Sequence, residues 1–243
     1  MAKIFQLKIC LLGTKPLIWR RFLVEDSISF YYLHEIIQQV MGWENYHMYE
    51  FEAGKVRIEA GNETGGIDSM FTGFNSNQST ESKNAEETRL NELLTKKKQK
   101  FYYIYDFGDS WEHEIIVENV LDEDDSKKYP VCIEGEMACP PEDCGGLWGY
   151  EELLEIQKNK DHPDYEERVV EWLGEDFDSE YFDLDEINEK ISKFVKYEPG
   201  EKKKNFKPTY MRFSPKKRGI KPVESMPKKI GRNEPCPCGS GKK

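Results

Sequence analysis

The chain has 243 residues, of which 37% are hydrophobic and 33% are charged, and its net charge is −11. This length fits one large domain or one medium domain with appendages, and its apolar residues are frequent enough to exclude disorder throughout. No apolar run approaches the roughly 20 residues that a membrane-spanning helix needs, so we expect a soluble, cytoplasmic protein without membrane contact.

The first 60 residues predict strands around one helix. Apolar residues alternate over 5–11, which predicts a strand, and a Gly-Thr-Lys-Pro turn leads into a second predicted strand at 18–24. Helical spacing from 33 to 41 predicts a helix that stops at Gly42. The segment 46–60 has the pattern of a hairpin that turns at Ala53-Gly54.

The following segments predict an insertion, a second hairpin and helices. Residues 61–87 are polar and lack periodicity, which predicts an inserted loop. Residues 101–105 and 111–120 form the clearest hairpin of the chain. Short helical patterns lie near 90–94, 149–159, 163–173 and 184–194.

These elements predict an α+β domain over residues 1–196, with a single mixed or antiparallel sheet packed against several helices. Residues 197–229 have the composition of an extended basic linker, and a cysteine-containing motif occupies 230–243. Residues 1–200 hold 43 acidic and 21 basic residues, whereas residues 201–243 hold 3 and 14.

The uneven charge leaves two interpretations of the tail open. A basic arm beside an acidic body is a pattern of proteins that contact nucleic acid, here through 201–229. A solvated lysine-rich linker has the same composition, and the acidic body repels phosphate. A protein partner bound through the tail is the alternative that we favour.

Two segments, 105–115 and 139–150, concentrate Trp, Cys, His and acidic residues. On the strand that begins at Trp111, His113 shares a face with apolar neighbours, so we interpret it as a buried structural histidine. The two segments also supply a candidate functional surface, which consists of Asp106, Asp109, Trp111, His113, Glu142 and Asp143.

A zinc site is one interpretation of the potential ligands in these segments, which are Asp106, Asp109, His113, Cys139 and Cys144. The spacing of the cysteines does not match the Cys-x2-Cys knuckles of obvious zinc sites. A rigid loop that packs Trp148 and Tyr150 is the competing interpretation. The remaining histidines, His47 among them, are interpreted as structural.

Four motifs resemble the plasmid pRiA4b ORF-3-like family. They are Lys-Pro-Leu-Ile-Trp-Arg-Arg (15–21), Leu-His-Glu-Ile-Ile-Gln with Met-Gly-Trp (33–43), and the segments 105–115 and 139–150. They occur in order and span about residues 3–195. The resemblance implies an α+β domain of bacteria and archaea, often encoded near plasmid or transposon genes. The family has no established activity, so it implies no catalytic residues.

The end of the chain resembles the SEC-C motif, a small zinc-binding module also found at the end of the SecA translocation motor. Cys236, Cys238 and the following Gly-Ser-Gly match the first half of that motif. Its second ligand pair is missing before the sequence ends, and two thiolates do not close a tetrahedral site. We therefore expect a partial zinc site that either borrows ligands or binds metal weakly.

Three functions are compatible with these patterns. The first is a non-catalytic binding or adaptor protein with a flexible tail that docks to a protein partner. The second is a nucleic-acid-associated accessory factor of a plasmid or transposon. The third is a metal-dependent enzyme that uses Asp106, Asp109, His113 and the nearby thiols. We rank them in that order.

Overall fold

The structure is a computed structural model that describes residues 3–60 and 81–194. In these ranges eight strands form one mixed sheet, in the order β5-β4-β3-β6-β7-β1-β2-β8, and five helices accompany it. The α+β prediction is therefore confirmed, whereas the basic tail lies outside the described residues. The strands are β1 (Lys3–Leu11), β2 (Trp19–Glu25), β3 (Tyr49–Ala53), β4 (Val56–Glu59), β5 (Glu81–Asn84), β6 (Lys100–Tyr105), β7 (Trp111–Asp122) and β8 (Val131–Glu136). The helices are α1 (Phe30–Met41), α2 (Leu90–Leu93), α3 (Gly146–Lys158), a π-helix (Glu166–Leu173) and α4 (Leu184–Phe194).

The sheet is antiparallel except at one edge. β1 pairs antiparallel with both β2 and β7, and β3 pairs antiparallel with both β4 and β6. Only β4 and β5 run parallel among the described strand pairs. Period-two alternation places Phe5, Leu7 and Ile9 of β1 in the buried core.

Helix α1 packs against β3 and β6. The hydroxyl of Ser29 accepts a hydrogen bond from the backbone N–H of Tyr32, and Gly42 ends the helix in the left-handed conformation, as predicted. The ring of Phe30 lies 5.2 Å from that of Phe51 and 6.1 Å from that of Phe101. This packing fixes the N-terminal end of α1 relative to those two strands, and a hydrogen bond from the side-chain amide of Gln38 to the hydroxyl of Tyr103, at 2.9 Å, fixes its C-terminal half.

Two edge strands were not predicted. β8 pairs with β2 through an irregular register, and the side-chain amide of Asn188 in α4 bonds both the N–H and the C=O of Cys132 at 2.9 Å. β5 occupies the end of the predicted insertion 61–87, so the loop assignment is wrong for its last residues. A parallel edge strand is held by backbone hydrogen bonds and needs no apolar alternation.

The π-helix also differs from the sequence prediction of an ordinary helix at 163–173. Its last turn closes with a bond from the backbone N–H of Gly174 to the carbonyl of Val169, at 2.8 Å and five residues apart. By its internal contacts the chain divides into Met1–Tyr197 and Glu198–Lys243. The predicted linker 197–229 and the segment 230–243 lie outside the described residues.

No helix within residues 3–60 and 81–194 combines the length and the hydrophobicity that crossing a membrane requires.

Candidate functional site

The two motif segments lie against each other. The backbone N–H of Gly145 donates to Oδ2 of Asp109, in the turn between β6 and β7, at 3.2 Å. A Cβ added to Gly146 would lie 2.5 Å from the carbonyl oxygen of Asp109, and Gly146 has a φ of +67°. Glycine is required at this position because any side chain would separate the two segments.

A third segment, 43–48, joins them. The indole N–H of Trp43 donates to the carbonyl of Pro140 at 3.0 Å, and the backbone N–H of Glu44 donates to Oε1 of Glu142 at 2.7 Å. Both contacts tie the loop that follows α1 to the loop that precedes α3. The loop after α1 is therefore part of the site, although the sequence motifs included only its first residue, Trp43.

Asn45 anchors the same loop to α1. It has a φ of 61°, and its backbone N–H donates to Oε1 of Gln38 at 3.0 Å. Its amide nitrogen donates to Oε1 of Glu35 at 2.9 Å, and its amide oxygen lies 2.8 Å from Nε2 of His34. Three polar side chains of one helix are thus directed at a single loop residue.

The sheet register places His47 beside Asp106. Tyr49 of β3 pairs with Tyr105 of β6 in antiparallel register. His47 lies two residues before Tyr49 and Asp106 directly follows Tyr105, so both residues reach the same end of the sheet. A bond from the backbone N–H of Asp106 to the carbonyl of Met48, at 2.9 Å, closes this pairing.

The imidazole of His47 faces three carboxylates. Its Nε2 lies 3.6 Å from Oδ2 of Asp106, 3.5 Å from Oε2 of Glu142 and 3.2 Å from Oδ1 of Asp143. We call these four residues the His47 cluster. Nε2 is buried and has no hydrogen-bond partner among the described residues, because none of these carboxylates meets it in hydrogen-bond geometry.

Three members of the His47 cluster have the spacing of metal ligands. One ligand atom each of His47, Asp106 and Asp143 lies within 4.8 Å of the other two. Ligand atoms about 2.1 Å from one zinc ion are separated by roughly 3.4 Å in a tetrahedron. Small side-chain movements would therefore bring the three onto one ion. One imidazole with two carboxylates suits first-row transition metals such as Zn²⁺ and Mn²⁺.

Within the His47 cluster, Glu142 bonds the neighbouring loops. Burial raises the pKa of its carboxyl group, and hydrogen bonds from the backbone of Glu44 and the hydroxyl of Tyr105 partly oppose this rise. The Tyr105 hydroxyl lies 3.0 and 3.2 Å from the two oxygens of Glu142 and accepts from the backbone N–H of Tyr46 at 3.0 Å. With both oxygens engaged, Glu142 holds the loops together more readily than it binds an ion.

Asp143 lies just before the N-terminus of α3, which begins at Gly146. The partial positive charge at a helix N-terminus stabilises a nearby carboxylate. The φ of Asp143 is 58°, in the left-handed region that non-glycine residues rarely adopt. The side chain is 70% exposed, so it forms the solvent side of the cluster.

Not all of the predicted functional surface is exposed. Asp106, Glu142 and Asp143 meet in the His47 cluster, and Asp109 bonds the neighbouring loop. Trp111 and His113 are only 2% and 0% exposed, so their assignment to a surface is wrong. The burial predicted for His113 is confirmed, and its Nδ1 lies 3.3 Å from the carbonyl of Tyr103.

The ligand set predicted with Cys139 and Cys144 is not assembled. Among the described residues the one group of three potential ligands is that of His47, and it contains neither thiol. The Sγ of Cys144 turns toward the carbonyl of Gly146, at 3.8 Å. Burial raises the pKa of both thiols to about 12, which keeps them protonated. This prediction is corrected because, among the described residues, neither thiol lies within ligand spacing of two further potential ligands.

The loop before α3 packs only one of its two predicted aromatic residues. Tyr150 is 4% exposed, whereas Trp148 is 81% exposed. Gly146 to Gly149 begin a helix, and a helix directs successive side chains to different faces. The packing predicted for Trp148 is therefore wrong.

Two family profiles match this chain. The family profile described as "Plasmid pRiA4b ORF-3-like protein" matches residues 3–186, and the profile of the SEC-C motif matches residues 232–243. The cysteines of that motif, Cys236 and Cys238, lie outside the described residues.

Several relatives share these regions. "Uncharacterized protein y4hQ" of Sinorhizobium fredii is 33% identical over 195 residues, which are 79% of this chain and 92% of that protein. The structure of "Protein of Unknown Function MM3350 from Methanosarcina mazei Go1" is 36% identical, with a TM-score of 0.65 over 76% of this chain and 97% of that one. "UPF0225 protein plu2503" of Photorhabdus laumondii is 64% identical over 25 residues, 10% of this chain and 16% of that protein. By profile, identity and coverage, the chain belongs to the plasmid pRiA4b ORF-3-like family.

Proposed function

We propose that the protein is a non-catalytic binding protein whose domain holds a divalent transition-metal ion in the His47 cluster. The ligands are Nε2 of His47 and one carboxylate oxygen each of Asp106 and Asp143. The observation that carries this proposal is the buried Nε2, which faces three carboxylates without a hydrogen-bond partner among the described residues.

Electrostatics favours a cation at this position. Like charges a few ångströms apart repel, and burial strengthens the repulsion. No Lys or Arg of the described ranges forms an ion pair with Asp106, Glu142 or Asp143. A divalent ion would neutralise the carboxylates of Asp106 and Asp143, and it would give Nε2 of His47 a partner.

Metal titration of the full chain tests this proposal. Cys236→Ser and Cys238→Ser are introduced in every protein so that the tail thiols do not contribute. After chelator treatment, we expect one Zn²⁺, Co²⁺ or Mn²⁺ per chain by calorimetry and elemental analysis. His47→Ala and Asp143→Asn should weaken binding by at least about 100-fold, since each removes one of three ligands.

His162→Ala and Asp164→Asn are the matched controls. Nδ1 of His162 lies 3.9 Å from Oδ2 of Asp164 at the surface, so this pair resembles the cluster in composition but offers only two ligands. Metal affinity should be unchanged in both controls. Equal affinity in His47→Ala and in the unsubstituted protein, with the fold intact by circular dichroism, would refute the proposal.

For the full chain we propose an adaptor role in which the tail docks to a protein partner. A nucleic-acid-associated role is the second candidate, and it rests on the 14 basic against 3 acidic residues of 201–243. Fluorescence anisotropy with DNA and RNA at 50 and 200 mM salt distinguishes them. Binding that falls steeply with salt, and that disappears when the Lys and Arg residues of 201–229 become Gln, would favour the second candidate.

A further inference from the structure

We infer that the metal centre in the His47 cluster is open toward solvent and that its free positions take a neutral nitrogen or oxygen donor, such as the imidazole of a partner's histidine. The inference rests on the proposed function, because it specifies the outside ligand of the same site. It concerns which outside ligand the ion would bind, not whether the domain binds the ion.

The openness follows from the unequal exposure of the ligands. The side chain of Asp106 is 10% exposed, that of His47 27% and that of Asp143 70%. Protein therefore surrounds the ion on the Asp106 side, and solvent reaches it on the Asp143 side. Three protein ligands leave one position of a tetrahedral ion free and three positions of an octahedral ion.

Glu142 does not fill these positions. Its Oε1 accepts from the backbone N–H of Glu44 at 2.7 Å, and the hydroxyl of Tyr105 lies within 3.2 Å of both its oxygens. Binding an ion would require Glu142 to give up contacts that hold the loop 43–48 to the loop before α3. Its side chain nevertheless lies beside the site, since its Oε2 is 3.5 Å from Nε2 of His47.

Charge selects the class of the outside ligand. Two carboxylates already balance a divalent ion, and Glu142 adds a third carboxylate beside them. A further anion, such as acetate or phosphate, would be repelled at this short distance. A protonated amine has no lone pair to offer. Neutral donors remain, which are water, an amide carbonyl or an imidazole.

The surroundings suit a side chain of a partner protein. Tyr46 and Met48, on either side of His47 in the chain, are 59% and 50% exposed. The carbonyl of Met48 accepts from the backbone N–H of Asp106, so this part of the chain is fixed beside the cluster. Exposed aromatic and thioether groups are enriched at protein interfaces.

Cobalt spectroscopy tests the inference on the full chain carrying Cys236→Ser and Cys238→Ser. Imidazole and acetate are titrated separately into the Co²⁺-loaded protein, and water-proton relaxation is recorded on the Mn²⁺-loaded protein. We expect exchangeable water on Mn²⁺ and a change of the visible cobalt bands by imidazole. The apparent affinity for imidazole should exceed that for acetate at least tenfold. In Glu142→Gln, which removes the charge but keeps the shape, acetate should bind several-fold better.

The outcomes separate the two proposals. Failure of Co²⁺ and Mn²⁺ to bind would remove the proposed function itself. A bound ion without exchangeable water and without a response to imidazole would show a closed site and overturn only this inference. Acetate binding as tightly as imidazole would overturn the choice of a neutral donor. Loss of the metal in Glu142→Gln, with the fold and the stability of the domain unchanged, would make Glu142 a ligand and overturn the openness argument.

Discussion

The amide oxygen of Asn45 lies 2.8 Å from Nε2 of His34, and this contact ties the loop that carries His47 to helix α1. Nδ1 of His34 lies 2.8 Å from the hydroxyl of Tyr103, and burial lowers the pKa of His34 to about 3. The ring is therefore neutral at pH 7. Because the amide nitrogen of Asn45 donates to Glu35, its oxygen must accept from His34, which places the proton of His34 on Nε2.

Asn45→Ala should therefore loosen the loop and weaken the metal site. The substitution removes two side-chain hydrogen bonds and leaves alanine at a φ of 61°. We expect the free energy of unfolding to fall by about 2–3 kcal/mol. Metal affinity should fall by about 10-fold or more, as for other residues that orient ligands. Urea unfolding and calorimetric metal titration measure the two effects.

Asn45→Gly separates the lost hydrogen bonds from the strain. Glycine adopts a positive φ without penalty, so this variant should be about 1 kcal/mol more stable than Asn45→Ala. Both variants should show the same loss of metal affinity, since both lack the amide. Unchanged affinity in the two variants would show that His34 and Glu35 do not position His47.

Gly146→Ala tests the contact between the two motif segments. Its Cβ would lie 2.5 Å from the carbonyl of Asp109, whereas Gly54 has the same φ of +67° and nothing within 4 Å of an added Cβ. Gly54→Ala should cost about 1 kcal/mol of stability from backbone strain alone. Gly146→Ala should cost clearly more and should also reduce metal affinity, because Asp143 lies in the displaced loop. Equal melting temperatures in the two variants would contradict this role of Gly146.

His113 makes the stability of the domain depend on pH. Burial lowers its pKa to about 3, whereas an unfolded chain has a histidine pKa of about 6.5. Below about pH 6.5 this histidine becomes protonated in the unfolded state but stays neutral in the folded state. The free energy of unfolding therefore falls as pH falls. Between pH 7 and 5 this histidine should account for a loss of about 2 kcal/mol.

His113→Phe should remove that dependence while it keeps an aromatic ring at this buried position. Between pH 7 and 5, the free energy of unfolding of this variant should fall about 2 kcal/mol less than that of the unsubstituted protein. The pH dependence that comes from His34 should remain. His113→Ala should lower stability at pH 7 by about 1–3 kcal/mol through lost packing. His162→Phe, at a solvent-contacting position, is the control. A pH dependence that is the same in His113→Phe and the unsubstituted protein would contradict the burial argument.

Much of the fold could be predicted because its central elements carry strong local signals. Alternation marked β1, helical spacing with Gly42 marked α1, and two apolar runs marked the hairpin of β6 and β7. The edge strands β5 and β8 could not be predicted in this way. Their stability comes from backbone pairing and, at β8, from the amide of Asn188, neither of which leaves a periodic pattern.

The site could be predicted only in part. Asp106, Glu142 and Asp143 stood in segments of unusual composition, so the sequence singled them out. His47 did not, because it meets Asp106 only through the pairing of β3 with β6, and sequence spacing gives no indication of that strand order. The two cysteines were misassigned for the opposite reason: their residue type indicated metal binding, whereas Cys144 belongs to the hydrophobic core and Cys139 packs against it.

The segment 230–243 is predicted to bind zinc weakly by itself. Cys236 and Cys238 are near enough in sequence to bind one ion, and the glycines that follow allow the chain to curve around it. Two thiolates fill half of a tetrahedral zinc site and leave the other positions to water or to a partner. A peptide of residues 230–243 should therefore bind zinc far more weakly than complete structural sites, whose apparent free energies of binding are about 10–16 kcal/mol.

Competition with a chromophoric chelator at neutral pH measures the zinc affinity of this peptide. Cys236→Ser should abolish what binding there is, whereas Ser240→Ala should preserve it. One tightly held zinc ion per monomeric peptide would contradict the prediction.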